Sequence, residues 1–211
     1  MECRCQLQMM ESNFLFNKRS FLIVGLHIAV VAVGIGAYLG FYRKNNNVLR
    51  IVQHPAPILR QISNRIDHID NHIISLSNDM IATLRYRTMI DLVMKRSLPR
   101  GLAPPQVGIL ERLIVCGVNG VIKVMINPEI LEREGIYSDY DDCMSVQKID
   151  NKVIQRSAYI KIKYKGLDDR EKILVARNDD AALLEHEIDH LNGVLNIDYW
   201  DETVALSPTA Q

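Results

Sequence analysis

His186 and His190 stand four residues apart, with Glu187 beside the first, in the stretch LLEHEIDHLNG at 183–193. Four residues is about one helical turn, so on a helix both imidazoles leave the same face. Two imidazoles placed this way can share a metal ion, and the neighbouring carboxylate is then positioned to handle protons. The same letters would arise from a surface helix carrying two solvated histidines. The chain has only six histidines, however, and two of them fall at the chelating spacing with Glu187 next to the first. A tetrahedral site needs a further protein ligand, and its type bears on the reaction.

Downstream candidates fail on counting. A third histidine six residues after His190 would extend the pattern, but that position is Asn196. A glutamate from a later helix has little room, because 21 residues follow His190 and Glu202 is the only glutamate among them. The third ligand is therefore expected upstream. Cys143 lies in the polar, turn-like segment YDDCMSV, whereas Cys116 sits among apolar neighbours in LIVCGV and reads as a small buried hydrophobe. A Cys-His-His set leaves a fourth position for water, as catalytic rather than structural sites do.

Several elements must position these groups. NDDAALLEHEIDHLNG reads as a helix with Asn178 as N-cap, acids in its first turn and Gly193 just past its end. The segment NHIISLSNDMIATLRYRTMIDLVMK carries apolar residues at helical spacing, and PAPILRQI is also read as helical. Prolines and glycines in PRGLAPPQVG break any helix there. RLIVCGV, VIKVMINPEIL and the alternating AYIKIKYKG read as strands.

Three segments then resemble the peptide deformylases. That family carries GxGLAAPQ, EGCLS and QHExDHLxG in this order. Here they stand as PRGLAPPQ (99–106), DDCMS (141–145) and EHEIDHLNG (185–193). The resemblance implies an α+β fold: a deformylase-like domain over 49–200 whose short antiparallel strands surround a metal-binding HExxH helix. It implies Cys143, His186 and His190 as metal ligands, for ferrous iron first and zinc, nickel or cobalt in its place. Glu187 becomes the general base acting on metal-bound water. Gln106 and the Met144 backbone N–H become the oxyanion donors, and Gly101 and Leu102 line the groove for the formylmethionine end of a nascent chain. The implied reaction is removal of the formyl group from N-terminal formylmethionine. Two other readings accompany it: a catalytically impaired metal-binding relative, or a metallopeptidase or amidase acting on another acyl group.

The departures are specific. Pro99 and Pro104 stand where the family has glycine and alanine, and proline removes an N–H and fixes φ. Asp142 replaces glycine beside the cysteine, which adds bulk and negative charge to the substrate groove. Asp141 replaces glutamate and Glu185 replaces glutamine. The ligands, Glu187 and Gln106 are all kept.

Twenty-five basic residues match twenty-five acidic ones, so charge gives no case for a nucleic-acid partner. None of the four cysteines forms a CxxC pair, and they are read as reduced or metal-bound. Ahead of the domain, residues 20–42 contain no Asp, Glu, Lys or Arg and are long enough to cross about 30 Å of hydrocarbon as a helix. The expected organisation is a polar segment (1–19), a transmembrane helix (20–42), a linker (43–48), the catalytic domain and a tail (201–211). The chain is thus read as a single-pass membrane protein with its catalytic domain on the cytosolic side. Ala32, Gly36 and Gly40 give a small-xxx-small pattern suited to weak self-association of the span.

Overall fold

A computed structural model describes residues 32–96, 98–146 and 153–200 of the chain. By internal contacts the chain divides into two units, Met1–Asn45 and Asn46–Gln211. In the first, the described helix α1 covers residues 32–45. Its last turn carries Arg43 and Lys44. No helix among the described residues is long and apolar enough to cross a membrane. The single-pass anchor, the cytosolic placement drawn from it and the self-association of a span are therefore not upheld. Residues 20–31 of the expected span lie outside the described residues.

The second unit is built on a five-stranded antiparallel sheet. Its strands are β1 (Gly101–Leu102), β2 (Leu113–Val118), β3 (Val121–Glu134), β6 (Tyr159–Lys165) and β7 (Glu171–Arg177), ordered β1-β2-β3-β6-β7. Between β3 and β6 the chain forms a separate two-stranded ribbon of β4 (Tyr137–Tyr140) and β5 (Val153–Arg156). The β2–β3 turn uses Asn119 and Gly120, both at positive φ (52° and 74°). A two-residue turn of that hand follows the natural twist of a hairpin.

Two helices cover the sheet, and β2 shows how. Ile114, Cys116 and Val118 point into a core shared with α3 (Asp179–Leu191), whereas Leu113 and Val115 point into a core shared with α2 (Asn71–Val93). Both faces of this strand are covered, so its sequence is continuously apolar rather than alternating. β6 is covered on one face only. Ile160, Ile162 and Tyr164 join the α3 core, while Lys161, Lys163 and Lys165 face outward.

The α3 stripe Ala181, Leu184, Ile188 and Leu191 follows the i, i+3, i+7, i+10 spacing of one helical face and is buried in that core. Burying a leucine there is worth about 2–3 kcal/mol by area. α2 begins at Asp70, whose side chain accepts from the Ile73 N–H (3.0 Å), and presents Ile73, Leu76, Met80 and Leu84 to the other face.

Local details differ from the sequence reading. The segment read as helical around PAPILRQI forms only a short 3-10 turn, Pro57–Arg60. Asn178 precedes α3 but makes no side-chain cap, because its backbone has turned to φ 49°. β7 was not foreseen: its apolar run Ile173–Ala176 is short and flanked by charged residues, and it pairs with β6 along its whole length.

Candidate active site

Three stretches distant in sequence meet beside α3. The helix supplies His186, Glu187 and His190, all at most 8% exposed. The segment after β4 supplies Cys143, and a 3-10 turn after β1, Pro104–Val107, supplies Gln106. Ligand atoms of Cys143, His186 and His190 all lie within 4.8 Å of one another. Cys143 Sγ is 3.3 Å from His190 Nε2, which is 3.2 Å from His186 Nε2.

His186 and the cysteine segment are held from behind. His186 turns its Nδ1 to Asp141 Oδ1 at 2.5 Å, which leaves Nε2 directed at the cluster. Arg156, on β5 and 3% exposed, pairs with Asp141 (2.8 Å) and with Asp189 of α3 (2.5 Å). The Tyr199 hydroxyl donates to Asp189 (2.8 Å) and its ring lies under the Arg156 guanidinium at 4.6 Å. Asn196 donates to the Asp141 carbonyl (2.7 Å). The cysteine segment is tied on its other side, where the His54 N–H donates to the Ser145 carbonyl (2.8 Å) and Gln53 Nε2 to the Met144 carbonyl (3.0 Å). Leu59, Val146 and Leu195 form a small core beneath it.

Gln106 is oriented by its own turn. Its Oε1 accepts from the Ala103 N–H (2.8 Å), so the amide nitrogen is the end that faces Cys143 Sγ, 3.7 Å away. Pro104 and Pro105 open this turn, where a missing N–H costs nothing. The proline pair thus suits the turn that carries Gln106.

The electrostatics follow from burial and charge. Burial opposes ionisation of Asp141, but His186 and then Arg156 outweigh it and hold the carboxyl well below the usual carboxylate range. Burial pushes Glu187 up to about 7, against the pull of His186. Burial, then His186, lowers His190 well below an ordinary imidazole. Burial also opposes a charged His186, yet Asp141 and Cys143 raise it well above the ordinary value.

A groove with a volume of about 510 Å³ opens over the cluster, and Gly101, Gln106, Asp142, Cys143, Met144, His186 and Glu187 are among its lining residues. Leu102 is not. It alternates away from Gly101 along β1 and is wholly buried in the α2 core, a correction to its expected place in the groove. The sequence pattern had not singled out Arg156, Tyr199 or Gln53, which come from separate elements with no fixed spacing to the histidines. Asp141 carried one signal, its place two residues before Cys143.

The residues present fit a bound transition metal. Two imidazole nitrogens and a sulfur converge, a donor set suited to iron, zinc, nickel or cobalt rather than to magnesium or calcium. Glu187 Oε2, buried beside them, has no hydrogen-bond partner among the described residues. With a groove above it, the arrangement suits metal-dependent hydrolysis.

The polypeptide deformylase family model matches residues 48–205, and the chain belongs to that family. It is 37% identical over 141 residues to peptide deformylase 1 of Clostridium acetobutylicum, covering 67% of this chain and 87% of the relative. The crystal structure of peptide deformylase from Thermotoga maritima superposes with a TM-score of 0.63 at 32% identity, covering 72% of this chain and 97% of that one. A peptide deformylase from Synechococcus elongatus in complex with actinonin gives a TM-score of 0.63 at 30% identity, covering 72% and 78%.

Proposed function

We propose that this chain is a peptide deformylase that hydrolyses the formamide of N-terminal formylmethionine on nascent polypeptides, releasing formate and a free amino terminus. The convergence of Cys143, His186 and His190 beside the buried carboxylate of Glu187 carries this reading. These three side chains would hold one divalent ion, ferrous iron by preference, with zinc, nickel or cobalt accepted by the same donors. When bound, the ion supplies Lewis acidity to the formyl oxygen and acidifies water.

The chain's own groups do the rest. Glu187 accepts the proton of the attacking water and delivers it to the amine nitrogen as the C–N bond breaks. Its pKa, pushed up to about 7 by burial, suits a group that must both take and give a proton. Gln106 Nε2, fixed by the Ala103 contact, donates to the oxygen that gains charge, and the Met144 N–H does the same. Gly101 lines the groove on the peptide side, and Asp142 beside Cys143 disfavours acidic residues directly after the methionine.

The test is formate release from a formyl-Met-Ala-Ser peptide by the full chain, loaded anaerobically with iron, beside Glu187→Ala. Wild-type turnover with a drop of at least about 10³-fold in the variant, metal content unchanged, is expected. Equal activity in both proteins would remove Glu187 from its role. A folded, metal-loaded wild type without activity would favour the impaired, metal-binding relative, and cleavage of unformylated acyl peptides would favour the amidase.

A further inference from the structure

Gly101 lies on β1, paired with Cys116 of β2, and its backbone faces Glu187. A Cβ built on it would lie 2.2 Å from Glu187 Oε1, 2.6 Å from Cδ and 2.7 Å from Cγ. Three successive atoms of one side chain thus occupy the space a side chain at 101 would need. Swinging the carboxylate tip would not clear the overlap, because Cγ is involved. The glycine is not required by its backbone conformation, since it is not among the glycines at positive φ. The requirement is for space.

Glu187 needs such a wall. Its backbone is fixed in α3 between buried His186 and Ile188, but its Oε2 has no hydrogen-bond partner among the described residues. Most buried carboxylates are aimed by donors. Here close packing against a bare stretch of main chain sets how far the carboxylate can swing.

We propose that Gly101 is a positioning residue for the general base: the β1 main chain is the surface against which the Glu187 carboxylate rests. This rests on the reading of Glu187 as the base. It moves Gly101 from a groove-lining role to one exerted on a protein side chain. Any side chain at 101 displaces the base. To reach even the 3.0 Å that real Cβ contacts keep, Oε1 must retreat by about 0.8 Å. Misplacement of a catalytic group by ~1 Å costs on the order of 10²-fold in rate.

The experiment uses the full-length, iron-loaded protein and the Gly101→Ala variant. On formyl-Met-Ala-Ser, kcat is expected to fall about 100-fold with KM changed less than about threefold and metal content kept. A crystal structure of the variant should show the Glu187 carboxylate shifted while Cys143, His186 and His190 stay in place. Glu187→Ala removes Cγ, Cδ and Oε1 together and so clears the space: on its residual rate Gly101→Ala should cost less than about threefold. A carboxylate that stays in place in the variant structure overturns the proposal, as does a rise in KM with kcat unchanged. An equal loss in the wild-type and Glu187→Ala backgrounds overturns it as well. Failure of the underlying reading looks different, because Glu187→Ala would then retain activity whatever stands at 101.

Discussion

Replacing Arg156 by methionine keeps an unbranched apolar stem and removes the guanidinium charge. The guanidinium is 3% exposed and pairs with Asp141 and Asp189, themselves 7% and 18% exposed. Its loss leaves two carboxylates with little access to water and no cation. Removing one partner of a buried ion pair costs about 3–5 kcal/mol, because the remaining charge is uncompensated. Two acids share the loss here, although Asp189 keeps the Tyr199 hydroxyl and Asp141 keeps His186. A net cost of about 3–5 kcal/mol is therefore expected. In a domain of this size each kcal/mol moves the melting temperature by roughly 2–4 °C, which gives a fall of about 6–20 °C. The assay is calorimetry of the metal-loaded protein with metal content measured alongside. Weaker metal retention, by about 10–100-fold in affinity, is expected because Asp141 no longer holds His186 firmly. A melting temperature within 2 °C of wild type, with full metal content, would refute the view that Arg156 ties β5, the cysteine segment and α3 together.

Other perturbations separate chemistry from architecture. Gln106→Leu should lower kcat about 10²–10³-fold with metal content unchanged, measured by formate release, since one oxyanion donor is lost. Chelation of the metal should lower the melting temperature in calorimetry, because the ion links α3 to the Cys143 segment; an unchanged melt would contradict that link. Gly193→Ala should destabilise by about 1–3 kcal/mol in urea titration without changing the metal content. Gly193 sits at φ +73°, and an added Cβ would lie 2.6 Å from the Arg60 carbonyl oxygen. Asp142→Gly should raise kcat/KM for peptides with an acidic residue after the methionine by several-fold, and neutral peptides serve as the control.

What the sequence reveals depends on how far apart the interacting residues lie. His186, Glu187 and His190 are legible because helical periodicity alone brings them together, and α3 does run through all three. Gly193 marks the helix end for an equally local reason, its positive φ. Cys143 required elimination among alternatives, since a turn-like segment has no periodicity to place it. Arg156 and Tyr199 were invisible because they reach Asp141 and Asp189 only after β5 and the C-terminal turn Asn196–Trp200 have folded back. Leu102 was misassigned because adjacency to Gly101 was taken for a shared face, and a strand sends neighbours to opposite sides. The uncharged run at 20–42 met the length criterion for a membrane span. Of that run the described helix covers residues 32–42, and it continues through Arg43 and Lys44.

The same long-range contacts explain why a polar cluster can lie so deep. Asp141 and Asp189 share the guanidinium of Arg156, Asp141 also pairs with His186, and Glu187 is buried nearby. Isolated buried charges of one sign are expensive. Arg156 and His186 compensate Asp141 and Asp189, and a divalent cation held by the three donors would add positive charge beside Glu187. Binding energy for the metal and stability of the fold would then be coupled, because the residues that would hold the cation join the cysteine segment to α3. The apolar stripe of α3 supplies the opposing contribution: Ala181, Leu184, Ile188 and Leu191 anchor the helix to the sheet regardless of what its other face holds. One helix thus divides its labour by face. Substitutions on the apolar face should show first in stability, and those on the polar face first in metal retention and rate.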